Sequence, residues 1–343
     1  MSASQSIPFS ILDLAPIVAG GTAAQALHNS LDLAQHAERW GYHRYWVAEH
    51  HNTNGVASSA TSVLIGYLAG GTRSIRVGSG GVMLPNHAPL VIAEQFGTLA
   101  TLYPGRIDLG LGRAPGTDPL TTRALRRERL MAAEQFPQDV LELQSYFRPR
   151  TLNQAVHAVP GEGLDVPIWL LGSSDFSARF AASLGLPFAF ASHFAPEYLE
   201  VALQIYRDNF QSSAALDRPY VMVGVNVIAA EADEEAAHLF TSLQQVFLAL
   251  RRGGSLQLQP PVESMDGRWS AFEAMSIQKA LRYAVVGSRE TVKLGLQRIL
   301  DETGADELIL AGQIYDHAAR LRSFEIAAGI REQLTRTGAS RAA

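Results

Sequence analysis

The sequence has no cysteine among its 343 residues, which excludes disulfide bonds, thiolate nucleophiles and cysteine-ligated zinc. It also lacks an uninterrupted apolar run of the roughly 20 residues that a membrane-spanning helix needs. The opening stretch, Met1 to Ser6, has neither the basic region nor the apolar core of a secretory signal peptide. We therefore expect a cytoplasmic protein with no membrane partner.

Positive charge is also scarce, since the formal net charge is -5. A chain with this balance has no general electrostatic attraction to phosphate backbones, so we expect no nucleic-acid partner. The hydrophobic share of 47% is ordinary for a globular protein. The length suits one large α/β barrel with insertions, and a cytoplasmic enzyme is the default expectation.

Eight apolar segments alternate with segments of helical character, which predicts a single-domain (β/α)8 TIM barrel over residues 1–343. The predicted strands are Ile7–Leu12, His43–Ala48, Ser74–Pro85, Gly105–Arg113, Pro167–Leu171, Pro187–Ala191, Tyr220–Ile228 and Asp306–Leu310. A doubly wound open sheet is the alternative architecture.

The segment Arg251–Ala280 interrupts this alternation with several glycines and prolines. So long a connection without regular structure is uncommon in a compact domain unless it is a lid or a mobile insertion. Within it, Trp269 and Phe272 are candidates for shielding a substrate pocket, although both are equally consistent with packing residues.

The most polar strand end is Glu49-His50-His51-Asn52, which follows the second predicted strand. In a parallel barrel the carboxyl ends of the strands carry the chemistry, so one of these imidazoles is a candidate acid, base or orienting group. Alternatively, these polar side chains hydrogen-bond to one another and have only a structural role. Neighbouring residues on a strand point to opposite faces, and no His-Glu-x-x-His pattern is present, so we predict no metal site.

Glycines end the third predicted strand, in Gly78-Ser79-Gly80-Gly81. Glycines in a strand indicate either a bulge or turn, or a place where a ligand approaches the backbone closely. We favour the close approach of a flat ligand.

Two further strand ends carry anion-binding residue types. Arg113 follows two glycines in a stretch that does not match the Rossmann fingerprint, and we interpret it as a cation at the barrel mouth rather than a solvated surface arginine. Ser173 and Ser174 lie at a strand-to-helix junction with Ser177 one turn later. Such a junction favours a phosphate, although an ordinary serine N-cap has the same sequence.

Two other strand ends contribute candidate pocket residues. Asp13 ends the first predicted strand, and His193 follows the sixth. Each would line the substrate side of the mouth. For His193, a histidine satisfied by a neighbouring loop is an equally good interpretation.

Several motifs together resemble the bacterial luciferase-like flavin-dependent monooxygenases, in particular alkanal-monooxygenase-like members. They are Trp46-Val-Ala-Glu-His-His51, Val77-Gly-Ser-Gly-Gly-Val-Met-Leu-Pro85, Tyr103-Pro-Gly-Arg-Ile-Asp-Leu-Gly-Leu-Gly-Arg113, Gly172-Ser-Ser-Asp-Phe-Ser-Ala178, Leu184-Gly-Leu-Pro187 and Val286-Gly-Ser-Arg-Glu290. The resemblance runs nearly from end to end.

This resemblance implies a TIM barrel that binds FMN at its carboxyl end, with His50 as the catalytic residue beside the flavin. The flavin-binding residues that it implies are Glu49, Gly80, Gly81, Arg113, Ser173, Ser174 and Ser177. The Gly80–Gly81 peptide would be cis, and the phosphate would lie on Arg113, Ser174 and Ser177. Ser173 stands where the luciferase carries a glutamate, and the luciferase's reactive cysteine has no counterpart, so light emission does not follow.

The implied activity is oxygenation of a small organic substrate, such as an aldehyde or other carbonyl, by reduced FMN and O2. A separate NAD(P)H:flavin reductase would supply the reduced flavin. The family also implies a homodimer, in which the predicted helix Pro89–Leu102, with Glu94 and Phe96, would take part.

Three other functions remain open at this point. The first is a deazaflavin-dependent oxidoreductase that transfers hydride on the same barrel, and the second is a non-catalytic flavin-binding protein. The third is a metal-dependent hydrolase, which would require a tightly bound ion.

Overall fold

The computed structural model describes residues 6–114, 118–125, 133–151 and 154–335. Nine parallel strands form its sheet, in the order β6-β5-β4-β3-β2-β1-β9-β7-β8, and an additional pairing of β6 with β7 closes the ring. Their bounds are β1 Phe9–Asp13, β2 Arg44–Val47, β3 Arg76–Met83, β4 Ile107–Gly112, β5 Ile168–Gly172, β6 Phe188–Phe190, β7 Val221–Ala229, β8 Val285–Gly287 and β9 Glu307–Ala311. The barrel therefore contains eight strands, and the predicted (β/α)8 fold is confirmed.

The sequence prediction missed β8, which lies outside the ring. It pairs with the last residues of β7, with Val285 opposite Val227, and it is three residues long. A segment this short has no readable two-residue alternation, which explains the omission.

Helices follow the barrel strands along the chain. Their bounds are α1 Ala23–Arg39, α2 Thr61–Gly70, α3 Pro89–Leu102, α4 Pro119–Leu125, α5 Phe136–Phe147, α6 Asp175–Leu184, α7 Leu199–Asp208, α8 Asp233–Arg252, α9 Ala271–Ala280, α10 Arg289–Thr303 and α11 His317–Ile330. None of the helices in the described part of the chain is long and apolar enough to cross a membrane.

Local sequence signals set several of these helix ends. Thr22 and Gln25 form a reciprocal capping box at the start of α1, because each side chain accepts a hydrogen bond from the other residue's backbone. Gly253 and Gly304 follow α8 and α10 in the left-handed conformation, which glycine adopts without a steric penalty.

A charged network fills the amino end of the barrel. Arg44 donates from Nη1 to Asp108 Oδ2 at 2.8 Å and from Nε to Glu307 Oε1 at 3.1 Å. Trp46 Nε1 donates to Asp108 as well, and the Tyr220 hydroxyl donates to Glu307 at 2.9 Å. Burial alone would raise the pKa of Asp108, but the neighbouring Arg44 charge contributes to a net lowering of it. These buried carboxylates are therefore paired rather than isolated.

The predicted lid at 251–280 is partly helical, which corrects the prediction of an irregular segment. Its first two residues belong to α8 and its last ten form α9, so that 253–270 alone connects the two helices. Leu258 in this connection is tied to the loop after β1, because Ala19 N–H donates to Leu258 O at 2.9 Å and Leu258 N–H donates to Ile17 O at 3.0 Å. The connection therefore contacts the carboxyl end of the barrel.

Candidate active site

Glu49, two residues beyond β2, is the centre of a hydrogen-bonded cluster at the barrel mouth. Its Oε1 lies 2.8 Å from His51 Nε2 and 2.8 Å from His87 Nε2, and its Oε2 accepts from Met83 N–H at 3.1 Å. Burial alone would raise the pKa of Glu49, but the hydrogen bonds from His87, His51 and Met83 lower it below its ordinary value. Glu49 thus links the ends of β2 and β3.

Glu49, His51 and His87 are close enough to be considered as metal ligands, with their ligand atoms within 4.8 Å of one another. The sequence prediction did not include His87. The only signal for this residue was its position shortly after the glycine-rich strand end. Both imidazoles, however, direct Nε2 at the same carboxylate oxygen. The side chains of this cluster therefore satisfy one another's hydrogen-bonding groups. The absence of a metal site remains a prediction.

His50 and His193 lie at the same end of the barrel. His50 is half-buried between Glu49 and His51 in the chain. Burial and, to a smaller extent, the charge of His50 together lower the pKa of His193 to about 4, so the two imidazoles influence each other. Asn226 Nδ2 on β7 donates to the backbone oxygen of His193 at 2.5 Å, which fixes the loop that carries this imidazole.

The Gly80–Gly81 peptide bond is cis, as predicted. The register between β3 and β4 also shifts here. Ser79 pairs with Leu109 and Val82 pairs with Leu111, so β3 advances by three residues where β4 advances by two. A Cβ on Gly81 would lie 2.8 Å from the carbonyl oxygen of Gly110, so the protein itself occupies that space. The bulge interpretation is therefore confirmed, and close approach of a ligand remains a prediction.

A cation and a helix N-terminus meet at the ends of β4 and β5. The guanidinium carbon of Arg113 lies 4.2 Å from the centroid of the Phe176 ring, in the first turn of α6. Ser174 is the N-cap of α6, yet its side chain makes no capping hydrogen bond. Ser177 Oγ is nearby and donates to Ser174 O at 3.1 Å. Because the first N–H groups of a helix lack intrahelical partners, this junction can accept an anion.

Phe176 is a second residue that the sequence prediction missed. It occupies the gap between Ser174 and Ser177 in the predicted phosphate motif. The ring contacts the guanidinium of Arg113, which follows the neighbouring strand β4, and so brings this cation beside the first turn of α6. Ser173, the predicted additional phosphate ligand, lies half-buried at the same junction.

Asp13 does not face a substrate pocket, which corrects the prediction. Its carboxylate is fully buried and accepts from Arg320 Nη2 at 2.6 Å, from the Tyr45 hydroxyl at 2.6 Å and from Ala15 N–H at 2.8 Å. Burial alone would raise its pKa, but Arg320 and the hydrogen bonds lower it. An ion pair with internal partners has a structural role, and it ties β1 to α11.

Trp269 and Phe272 have different surroundings. Trp269 packs against an apolar cluster between α8 and α9 that includes Leu243, Met265 and Ile277. Phe272 is 73% exposed. The contacts of Trp269 are those of a packing residue, and a shielding role for either ring remains a prediction.

Comparison with known proteins identifies the family. The family model described as luciferase-like monooxygenase matches residues 7–325 of this chain. The chain belongs to the luciferase-like monooxygenase family. The resemblance predicted from its motifs is therefore confirmed.

Individual members of the luciferase-like monooxygenase family match nearly the whole chain. A protein of Escherichia coli (strain K12) named luciferase-like monooxygenase is 59% identical over 330 residues, which are 96% of this chain and 98% of that protein. The solved structure of apo-MsnO8 is 34% identical with a TM-score of 0.85, covering 96% of this chain and 99% of its own.

A more distant structure shares the fold. The oxygenating constituent of 3,6-diketocamphane monooxygenase from Pseudomonas putida, in complex with FMN, is 18% identical with a TM-score of 0.72. It covers 97% of this chain and 100% of its own.

Proposed function

We propose that this protein is an FMN-dependent monooxygenase that uses reduced FMN and O2 to oxygenate a small organic substrate. The observation that carries this proposal is the juxtaposition of Arg113 and the N-terminus of α6 at adjoining strand ends. A phosphate with two negative charges matches one guanidinium and a helix N-terminus. His50 lies at the same barrel end, where a ring attached to that phosphate would extend.

The residues that would hold FMN have distinct roles. Arg113 supplies the charge-assisted hydrogen bonds, while Ser173, Ser174 and Ser177 offer hydroxyl groups to the phosphate oxygens. The Gly80–Gly81 segment and Glu49 border the mouth beside the proposed ring position. Bound reduced FMN supplies the electrons that activate O2, and the protein's part is to orient the substrate and manage protons through His50.

Exclusion of water is a further task that we assign to the connection 253–270. Its hydrogen bonds to the loop after β1, through Leu258, support a cover over the mouth. A second link joins it to the loop after β2, because Leu256 N–H donates to Asn54 Oδ1 at 3.0 Å. A cover anchored on two sides would shield an oxygenation site from bulk water.

The decisive experiment is a titration of the protein with FMN and with riboflavin, followed by flavin absorbance. The parent should bind FMN more tightly than riboflavin, because riboflavin lacks the phosphate. An Arg113→Met variant should bind FMN about 10- to 100-fold more weakly, which is the range expected for losing a charged hydrogen bond. Its affinity for riboflavin should not change.

Arg179→Met is the matched control, since Arg179 is exposed on α6, the same helix. This variant should keep the parent's affinity for both flavins. The phosphate assignment is wrong if Arg113→Met and Arg179→Met bind FMN equally well. The function itself is wrong if the parent binds no FMN.

Product analysis separates the alternative activities on this fold. With isotopically labelled O2 and a separate NAD(P)H:flavin reductase, the proposed enzyme should place one labelled oxygen atom in its product. A deazaflavin-dependent hydride-transfer enzyme would convert substrate without oxygen. A non-catalytic flavin-binding protein would bind FMN and form no product.

The proposal includes a homodimer formed through α2 and α3. Val63 and Tyr67 on α2 and Val91 and Leu102 on α3 are exposed apolar side chains, with Val63 at 73%. Phe96, expected from the sequence to take part, is instead fully buried in the core. The apolar face that a second copy would cover therefore consists of other residues than those first considered.

We expect light scattering coupled to size-exclusion chromatography to give a dimer for the parent. Introducing Val63→Glu together with Val91→Glu should give a monomer, because two carboxylates would lose hydration in the interface. Leu294→Glu, on the exposed face of α10, should leave the dimer intact. If the dimer persists in the Val63→Glu, Val91→Glu variant and dissociates in Leu294→Glu, the interface lies elsewhere.

A further inference from the structure

Three aromatic side chains contact one another in series through the interior of the barrel. Trp46 on β2 meets Trp169 on β5 edge to face, with ring centroids 5.2 Å apart, and Trp169 meets Tyr220 in the same way at 5.6 Å. Trp46 and Trp169 belong to one apolar cluster, and Tyr220 packs against it. Trp46 is fully buried, whereas Tyr220 is half-buried just before β7, at the amino end of the barrel. The series of rings therefore runs from the interior to the amino-terminal face.

The first ring of the series lies at the glycine-rich end of β3. A Cβ built on Gly80 would lie 3.2 Å from Trp46 Cβ and 3.3 Å from Trp46 Cε3, so the indole packs directly against the backbone of Gly80. The cis Gly80–Gly81 segment borders the mouth beside the position proposed above for the flavin ring. The three rings thus connect the proposed flavin site with the opposite face of the barrel.

The two outer rings each donate a hydrogen bond to a buried carboxylate. Trp46 Nε1 donates to Asp108 Oδ2 at 3.1 Å, and the Tyr220 hydroxyl donates to Glu307 Oε2 at 2.9 Å. A neighbouring negative charge favours the loss of an electron from an indole, because it stabilises the positive charge left on the ring. Burial and the charge of Glu307 raise the pKa of Tyr220, so the phenol holds its proton at neutral pH. When that phenol is oxidised, the carboxylate is in place to accept the proton.

The middle ring has the opposite electrostatic environment. The guanidinium carbon of Arg44 lies 4.8 Å from the centroid of the Trp169 ring. A neighbouring positive charge disfavours the removal of an electron, so an oxidised state is less stable on Trp169 than on Trp46 or Tyr220. Trp169 therefore has the properties of a bridge between two oxidisable ends.

The composition gives this arrangement a use. A protein that activates O2 on a flavin exposes its own side chains to strong oxidants. The chain has no cysteine, so no thiol is available to reduce such an oxidant at the mouth. An aromatic side chain that passes the oxidising equivalent to the surface would protect the mouth instead.

We propose that Trp46, Trp169 and Tyr220 relay one oxidising equivalent from the flavin site to the amino-terminal face of the barrel. Trp46 gives one electron to a one-electron oxidant derived from the flavin and regains it from Tyr220 through Trp169. Tyr220 transfers its phenolic proton to Glu307 and becomes a neutral phenoxyl radical. A soluble reductant of the ascorbate class then returns the electron, and Glu307 returns the proton. The inference rests on the FMN-dependent function proposed above and adds an electron route to it.

The test uses the FMN-loaded protein and light, so it requires no turnover of substrate. Blue light turns oxidised FMN into a strong one-electron oxidant, and ferricyanide takes up the electron that the flavin receives. Electron paramagnetic resonance of samples frozen during illumination then detects any radical left on the protein. The parent should give a tyrosyl signal. The signal should become narrower in protein that carries ring-deuterated tyrosine, which assigns the radical to that residue type.

Two substitutions interrupt the relay at different points. Tyr220→Phe keeps the ring and removes the phenol, so the tyrosyl signal should be lost. Trp169→Phe replaces the bridging indole by a ring that is much harder to oxidise, so the signal should be lost again. Tyr45→Phe is the matched control, because the Tyr45 hydroxyl also donates to a buried carboxylate, that of Asp13, at 2.6 Å. Tyr45 belongs to a different apolar cluster from Trp46 and Trp169, so this variant should keep the signal.

The outcomes separate the relay from the function on which it rests. If the parent binds no FMN, both are overturned. If the FMN-loaded parent gives no tyrosyl signal, or if Tyr220→Phe keeps that signal in full, the relay alone is overturned. Loss of the signal in Tyr45→Phe would assign the radical to Tyr45 and also overturn the relay. An FMN affinity equal to that of the parent shows that a variant has folded, and Tyr220→Phe decides the question if Trp169→Phe has not.

Discussion

A His50→Ala variant is expected to bind FMN as tightly as the parent and to form oxygenated product about 10²- to 10⁴-fold more slowly. The phosphate of FMN would be held by Arg113 and the N-terminus of α6, which belong to other strand ends than His50. Loss of the imidazole therefore removes proton management and leaves the main flavin contacts in place.

The other titratable groups at the mouth are poor substitutes for His50. Glu49 accepts hydrogen bonds from His51 and His87, and its pKa is lowered by those bonds against the effect of burial. Burial lowers the pKa of His193 to about 4, which makes it a weak base near neutral pH. A large loss of rate follows because general catalysis needs a group that exchanges protons near the working pH.

The measurement combines an FMN titration with product formation under a steady supply of reduced flavin. His28→Ala is the matched control, since His28 is an exposed histidine on α1, and it should retain both properties. An unchanged rate in His50→Ala would remove the residue from catalysis. A loss of FMN binding would make it a binding residue instead.

The second large effect concerns stability. Replacing Arg44 by methionine is expected to lower the free energy of unfolding by about 3–5 kcal/mol, the usual cost of removing one partner from a buried ion pair. Arg44 is the cation that contacts both Asp108 and Glu307. Asp108 would keep Arg76, but among the described residues Glu307 would keep only its hydroxyl donors, Ser10 and Tyr220.

Denaturant unfolding of the parent and of Arg44→Met measures this loss. Arg322→Met is the control, because Arg322 is half exposed in its ion pairs with Glu231 and Glu325, and it should change stability by no more than about 0.5 kcal/mol. Adding Glu307→Gln to Arg44→Met should recover part of the loss, since the unpaired charge is then removed. Equal losses in the two arginine variants would show that the interior network contributes no more than a surface pair.

The stability of the parent should also respond to acid through this network. Burial alone would raise the pKa of Asp108, but Arg44 and Arg76 together hold it below its ordinary value of 3.8. The unfolded chain therefore takes up a proton at a higher pH than the folded protein does. Stability is accordingly lost as the pH falls below about 4, and Arg44→Met should show a smaller loss over that range.

The fold was readable from the sequence because each strand carries its own local signal. Segments such as Tyr220–Ile228 are apolar except for Asn226, as expected for a strand buried on both faces, and the observed β7 is buried along its whole length. The short strand β8 and the helix α9 escaped prediction. Three residues carry no periodicity, and the glycines and prolines before α9 concealed its Ser270 capping box.

The candidate site was predicted less completely. The cis Gly80–Gly81 bond followed from the family resemblance and is present in the structure. His87, Phe176 and Arg320 were missed, because each acts through a partner that is distant in sequence, as Arg320 does with Asp13. For the same reason Asp13 was wrongly placed in the substrate pocket.

The sequence by itself determined the alternation of strands and helices, the polar residues at the strand ends and the family, because these depend on local order and residue type. The tertiary structure decided which of those polar groups are already paired. Asp13 and Glu49 have internal partners, whereas the Nδ1 atom of His193 has none among the described residues. Pairing depends on distances between segments up to 307 positions apart along the chain, and closing the barrel is what brings such segments together.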